Sequence, residues 1–323
     1  MKKILFLFFV LLLIMGCLIT FGGYKYNHRL TTTKDVHFLY PEAKSKALIL
    51  SFDDGNILDT QIVSTLNHYH LKGTFFLHTA PLIQSSQKHI PLKLIAQLYD
   101  GHEVGSHGVS HLRLNEMNDS LLWYELNSSK DTLEKYLNKA VYSLAYPFGD
   151  YNSKTIEMAK QAGYTNARSI SNTNLFKPPV DFLQWHPTCA LSEAIKNRED
   201  FLNTDLPWVR NLKSILGQQL NIPYSWSKMQ YTWGHATDFS NPSGLKIDDF
   251  EVFCSAIKSQ NNIWSCTSTE ATSYFQSIQK LIITKYEIAN PVENTQSVWF
   301  SFADKEYVIQ PGETFSIHET LNK

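Results

Sequence analysis

The chain has 323 residues, with 29 Lys and Arg against 30 Asp and Glu. That length suits one large catalytic domain with an appendage, or two modest domains. The balanced charge lacks the basic footprint that holds a phosphate backbone, which argues against nucleic acid as a partner.

Residues 1–23 read as a signal peptide or signal anchor. Lys2 and Lys3 precede an apolar run from Ile4 to about Phe21. A run of about 18 to 20 residues exceeds a usual cleaved apolar region and can just span a bilayer. Cys17 follows Ile14, Met15 and Gly16, a loose likeness to a lipoprotein cleavage site. A membrane anchor, a lipid anchor and simple cleavage with secretion all stay open, and each places the remainder outside the cytoplasm. Beyond this segment lie only Cys189, Cys254 and Cys266, enough for at most one bridge, with Cys254 and Cys266 the nearest pair. No C-x-x-C pair occurs, which argues against a thiolate zinc site.

Residues 24–45 are polar and read as a tether. A domain over 46–281 follows, in which short apolar runs alternate with helical stretches. The expected strands are Ala47–Phe52, Thr74–Leu77, His102–Ser106, Val141–Tyr146, Tyr164–Ile170, Met229–Trp233 and Ile263–Thr267. The expected helices are Leu58–Tyr69, Leu92–Tyr99, Asn118–Leu137 with an Asn118 cap, Ser153–Ala162, Ile247–Lys258 and Ser268–Leu281. Residues 171–227 are broken by prolines and carry no assigned boundaries. Repeated βα units of this kind predict an α/β fold, a parallel sheet closed into a barrel or open and doubly wound. From residue 282 the texture turns to short strand signals, predicting a small β-rich extension over 282–323.

Two segments carry chemistry. Ser51-Phe52-Asp53-Asp54-Gly55 ends the first strand of the domain in two carboxylates, at the strand end where α/β folds build sites. Adjacent carboxylates repel unless a cation or shared proton offsets them. His107 and His111 in HGVSH sit four apart, so both imidazoles reach one ion if the segment is helical. With Asp54 they make two nitrogen ligands and one carboxylate, leaving open positions for water and substrate.

SFDDG at 51–55, GTFFL at 73–77, HGVSH at 107–111 and YPFGDYN at 146–152 together resemble the polysaccharide deacetylase family. This is also called the nodulation-type chitooligosaccharide deacetylase domain, or carbohydrate esterase family four. The likeness covers the first half of the domain; Trp185-His186-Pro187-Thr188 and Trp233-Gly234-His235 resemble one exported bacterial branch more loosely. It implies a distorted (β/α) barrel, an acetylated polysaccharide substrate and one divalent ion, zinc first, with cobalt or nickel also suited. Carried over by residue, it makes Asp54, His107 and His111 the metal ligands and Asp53 the general base. It makes His235 the acid that protonates the leaving amine, with His186 as rival, and the backbone N–H of Phe148 the oxyanion donor. Pro147, Tyr146, Trp185 and Trp233 would line the sugar groove.

Two departures stand out. Ala145 occupies the place, two before Pro147, where the family often has an Arg that holds the catalytic Asp. The group that tunes the acid His is not evident, with Asp181 and Trp185, or Asp238, as substitutes. The leading function is hydrolytic removal of N-acetyl groups from an N-acetylglucosamine polymer. The alternatives are an O-acetyl esterase on an acetylated glycan and a surface carbohydrate-binding protein that keeps the fold. No sequence feature sets an oligomeric state.

Overall fold

The computed structural model describes residues 36–203, 225–241, 244–284 and 286–317. The expected signal segment over residues 1–23, residues 24–35 of the expected tether and residues 318–323 lie outside them. No helix among the described residues is long and apolar enough to cross a membrane.

In chain order the strands are β1 (His37–Leu39), β2 (Lys46–Asp53), β3 (Thr74–Leu77), β4 (Glu103–Ser106), β5 (Ser143–Ala145), β6 (Asn166–Arg168), β7 (Cys189–Ala190) and β8 (Ser225–Trp226). They continue with β9 (Lys228–His235), β10 (Ile263–Cys266), β11 (Ile282–Ile283), β12 (Glu287–Ala289), β13 (Val298–Phe302), β14 (Lys305–Ile309) and β15 (Thr314–Ser316). A curled parallel sheet runs in the order β6-β5-β4-β3-β2-β9-β7, with β10 beside β2. The segment leading into β7 closes the circuit: Trp185 bridges to Arg168 of β6, and Cys189 then pairs with Thr232 of β9. This is the distorted (β/α) barrel that the family resemblance implies, and it decides between the closed and open sheets that the repeated units left possible.

β2 is buried at every position, as a central parallel strand covered on both faces should be. Period-two alternation splits its side chains. Leu48, Leu50 and Phe52 join the core shared with Ile62, Val63 and Leu66 of the helix Asp59–His68 and with Phe250 and Phe253 of the helix Ile247–Lys258. Ala47 and Ile49 join a second core with Met229 and Tyr231 of β9 and with Trp185. The same face of β2 continues upward into Ser51 and Asp53, and that of β9 into Trp233 and His235. Asp53 and His235 stand opposite one another in register. One end of the barrel is therefore apolar and the other polar.

The apolar end is capped by residues 36–40 together with β13 and β14, which corrects the reading of residues 36–45 as tether. Val36, Phe38 and Tyr40 are buried in the second core beside Val298, Phe300, Phe302 and Ile309. β1 pairs antiparallel with β13 and parallel with β8, and the Tyr40 hydroxyl donates to Ser227 O at 2.9 Å. The alternation Val36-x-Phe38-x-Tyr40 was a strand signal diluted by polar neighbours. The β-rich extension is thus built into the domain core: barrel residues Met229 and Tyr231 and extension residues Val298 and Phe300 share one cluster.

Asn118 caps its helix, its Oδ1 accepting from Leu121 N at 3.0 Å. The long helix expected over 118–137 is interrupted by a π turn at Tyr124–Ser128. Leu92–Tyr99 is a 3-10 turn, Leu92–Leu94, followed by one α turn, Ile95–Leu98. Cys254 and Cys266 are buried free thiols, so the possible bridge between them is not formed.

Candidate metal centre

Just past β2, Asp54 adopts φ 82 and Gly55 φ 66, turning the chain sharply at the barrel mouth. The turn is held by Asp54 N donating to Phe76 O at 2.9 Å. Asp54 Oδ1 lies 3.8 Å from His107 Nε2 and 3.6 Å from His111 Nε2. Bonds of about 2.0–2.2 Å to a shared divalent ion would put ligand atoms roughly 3.5 Å apart. Asp54 Oδ1 is itself buried without a hydrogen-bond partner, a costly state unless something positive meets it.

The two imidazoles converge without the helical turn that their i, i+4 spacing had made the condition. Residues 107–113 are irregular, and the approach depends on positive φ at Gly108 (77) and His111 (53). His107 Nδ1 lies 2.8 Å from Ala145 O, and since a carbonyl only accepts, the proton is on Nδ1 and the Nε2 lone pair is free. Burial pushes the His107 pKa down, outweighing Asp53 and Asp54, so the ring is kept neutral, as a ligand must be. The donor set fits one divalent ion.

Asp53 is locked in place by a residue the sequence reading missed. Arg168 Nη2 donates to Asp53 Oδ2 at 2.6 Å, and both side chains are almost fully buried. Burial alone would raise the Asp53 carboxyl; Arg168, with His107 and His235, reverses this and holds it below the usual range. Arg168 is the register partner of Ala145 across β5 and β6, so the guanidinium absent at 145 arrives from the neighbouring strand. The available signal was the one charged residue, Arg168, inside the strand candidate Tyr164–Ile170.

His235 closes the site from β9, its Nε2 3.9 Å from Asp54 Oδ2. Asp238 holds it, with Oδ1 3.7 Å from Nδ1 and Oδ2 accepting His235 N at 2.9 Å. That interaction, against the opposing effect of burial, pushes the His235 pKa up to about 9. Asp181 instead caps Leu183 N. His186 spends both ring nitrogens on Ser169 Oγ and the Tyr151 hydroxyl, so it is not the rival acid.

Phe148 sits at φ 60 between Pro147 and Gly149, half-exposed, its ring 4.6 Å from that of His111 and capped by the Arg113 guanidinium. Of the expected sugar-stacking residues, Trp185 and Tyr146 are each 1% exposed. Trp185 packs edge-on against Tyr231, and the Tyr146 hydroxyl donates to Leu183 O. Neither can present a ring face, and Pro147 is buried as well. Trp233 stays partly open, donating to Asn172 Oδ1 at 2.8 Å. With His235, Asp238, Lys196 and Arg198 it lines a groove of about 780 Å³.

His78, directly after GTFFL, was also missed; its Nε2 is 3.9 Å from Asp54 Oδ1, and burial lowers its pKa to about 4. Asp59 is fully buried below the site, where it accepts the Tyr99 hydroxyl at 2.6 Å. Burial raises its pKa to about 8. Between the ordinary carboxyl range and that value the folded state holds a proton the unfolded state has lost. Stability should therefore fall by up to about 1.4 kcal/mol per pH unit as pH rises through this window, then level off. Asp59→Asn should remove this slope in denaturant titrations at pH 5 and pH 8. A gap between the two proteins that ignores pH would refute a protonated Asp59.

Residues 41–167 match the family model described as polysaccharide deacetylase. The peptidoglycan-N-acetylglucosamine deacetylase of Bacillus cereus is 30% identical over 122 residues, covering 37% of this chain and 54% of that one. The peptidoglycan-N-acetylmuramic acid deacetylase PdaC of Bacillus subtilis is 30% identical over 115 residues, covering 35% of this chain and 24% of that one. The chain thus spans about half or less of these relatives. A Mycobacterium smegmatis crystal structure assigned to the polysaccharide deacetylases superposes with a TM-score of 0.51 at 16% identity, covering 74% of this chain and 93% of that one. That likeness is one of fold.

Proposed function

Since this chain belongs to the polysaccharide deacetylase family, we propose that it hydrolyses N-acetyl groups from an N-acetylglucosamine-containing polysaccharide outside the cytoplasm. The observation that carries this is the buried, unsatisfied Asp54 Oδ1 facing two imidazole Nε2 atoms beside a carboxylate locked by Arg168. The apolar run at residues 4–21 supports export and a hold on the membrane.

Asp54, His107 and His111 would hold one divalent ion, for which availability favours zinc over cobalt or nickel. When bound, such an ion polarises an acetyl carbonyl and acidifies water. Asp53, kept ionised by Arg168, takes the proton from the attacking water. The Phe148 N–H, in its tight Pro147–Gly149 loop, donates to the oxyanion as the carbonyl becomes tetrahedral. His235, held charged by Asp238, delivers a proton to the departing amine. Trp233, partly open at the groove, offers a ring to sugar.

Acetate release from a panel of acetylated oligosaccharides, before and after chelation, tests the reading. Release should fall at least about 100-fold on chelation and return with zinc, cobalt or nickel. Release that survives complete metal removal refutes the proposal. Bound metal without release from any glycan favours a carbohydrate-binding role.

A further inference from the structure

Nothing in the HGVSH segment itself explains why its backbone keeps the shape that brings two histidines together. β4 ends at Ser106, and no regular structure follows before the turn at Leu114–Glu116. The loop's carbonyls are taken from one side, Thr79 N donating to Gly108 O at 3.1 Å and Ala80 N to Val109 O at 2.9 Å. Its first amide, His107 N, donates to Leu77 O at 2.9 Å, and the buried amides after it need acceptors as well. Gly108 N donates to Ser106 Oγ at 3.2 Å. The next two share one atom: Glu125 Oε2 accepts Val109 N at 2.7 Å and Ser110 N at 2.9 Å.

Glu125 is 1% exposed and stands in the π turn Tyr124–Ser128, between the helices Asp119–Trp123 and Ser129–Leu137. A π turn inserts a residue and changes which side chains face inward, which is why such turns gather at functional sites. Its neighbourhood is fitted to the loop. A Cβ at residue 108 would sit 3.0 Å from Glu125 Oε2, a tight approach that would press on the carboxylate, and the φ of 77 itself favours glycine there. Ser106 Oγ also donates to Ser129 Oγ at 2.8 Å, tying the end of β4 to the same helix.

We propose that Glu125 is a positioning residue of the metal centre, its carboxylate clamping the 109–110 backbone so that His107 and His111 aim at one point. This rests on the metal-site reading above. Partners one step behind a ligand commonly change metal affinity by about 10–100-fold, and Glu125 acts on the loop that carries two ligands at once. A glutamine keeps an acceptor oxygen at the same reach; aspartate keeps the charge but falls short by a methylene; leucine offers no acceptor.

The test is titration of metal-free protein with Zn²⁺ against a chromophoric chelator and with Co²⁺ by visible absorption, alongside thermal melts of the metal-free forms. Glu125→Leu and Glu125→Asp should bind Zn²⁺ about 10–100-fold more weakly with an altered Co²⁺ spectrum. Glu125→Gln should stay within about threefold of the parent. Leu or Asp variants that fold and bind as the parent does overturn the proposal. If the Leu variant fails to fold, the Asp and Gln pair decides, and equal affinities for the two overturn it. Failure of the parent to bind either ion sinks the metal-site reading itself.

Discussion

Replacing Arg168 with Met is expected to cut acetate release by about 10²–10⁴-fold, the range for loss of a general base, while leaving bound metal nearly unchanged. Asp53 is 2% exposed, and Arg168 is the side chain that pairs with its carboxylate. Removing one partner of a buried pair leaves an uncompensated charge worth about 3–5 kcal/mol. The cheaper escape is uptake of a proton or rotation of the carboxyl, and either removes the acceptor for water's proton. Metal content and near-ultraviolet dichroism separate this from unfolding. A sharper version uses the register match of Ala145 with Arg168. The double variant Ala145→Arg, Arg168→Ala returns a guanidinium to the family's usual position and should recover at least about tenfold over Arg168→Ala alone. Full activity in Arg168→Met would show that Asp53 needs no such partner.

That pair also shows where the sequence was opaque. β2, β3, β13 and the helix Ile247–Lys258 were legible because their apolar periodicity is local, as was the Asn118 cap. Asp53 and Asp54 stood out because two adjacent carboxylates at a strand end repel unless a cation or a shared proton offsets them, although Asp-Asp-Gly alone is also a common turn. Arg168 did not, because its meaning lies in sheet register: 168 and 53 are far apart in sequence, and only the order β6-β5-β4-β3-β2 curled on itself brings them together. Ala145 read as a loss because the compensating residue was on the next strand.

The aromatic assignments failed for a related reason. Trp185 and Tyr146 sit in motif-like stretches, and their composition alone suits either a sugar face or a core. What decides is the barrel's closure: Trp185 bridges β6, so its ring is driven into the core against Phe182 and Tyr231. Trp233 stays accessible because it lies higher on the inward face of β9, past the apolar layer of Met229 and Tyr231. Likewise, the i, i+4 spacing lets His107 and His111 reach one ion if the segment is helical, but a loop with two left-handed residues reaches the same convergence. Spacing constrains which groups can meet, and backbone conformation decides how.

His235→Ala is the second large effect expected, and its substrate dependence carries the information. Without protonation an amide would have to expel an amine anion, so the nitrogen must take a proton as the bond breaks, whereas an ester expels a far less basic alkoxide. Loss of the acid should cost about 10³-fold on N-acetyl glycans and under about tenfold on O-acetyl esters of matched size. Asp238→Asn should show the same ordering more weakly, because the imidazole remains but loses the carboxylate beside Nδ1. The site has the geometry for this role: His235 faces Asp53 in register across β2 and β9 and opens on the groove with Trp233. Equal losses on both substrates would assign His235 to binding rather than proton delivery. A parent enzyme that cleaves only the esters would turn the reading to an O-acetyl esterase, for which Asp53, Arg168 and the metal ligands keep their roles and the acid becomes dispensable.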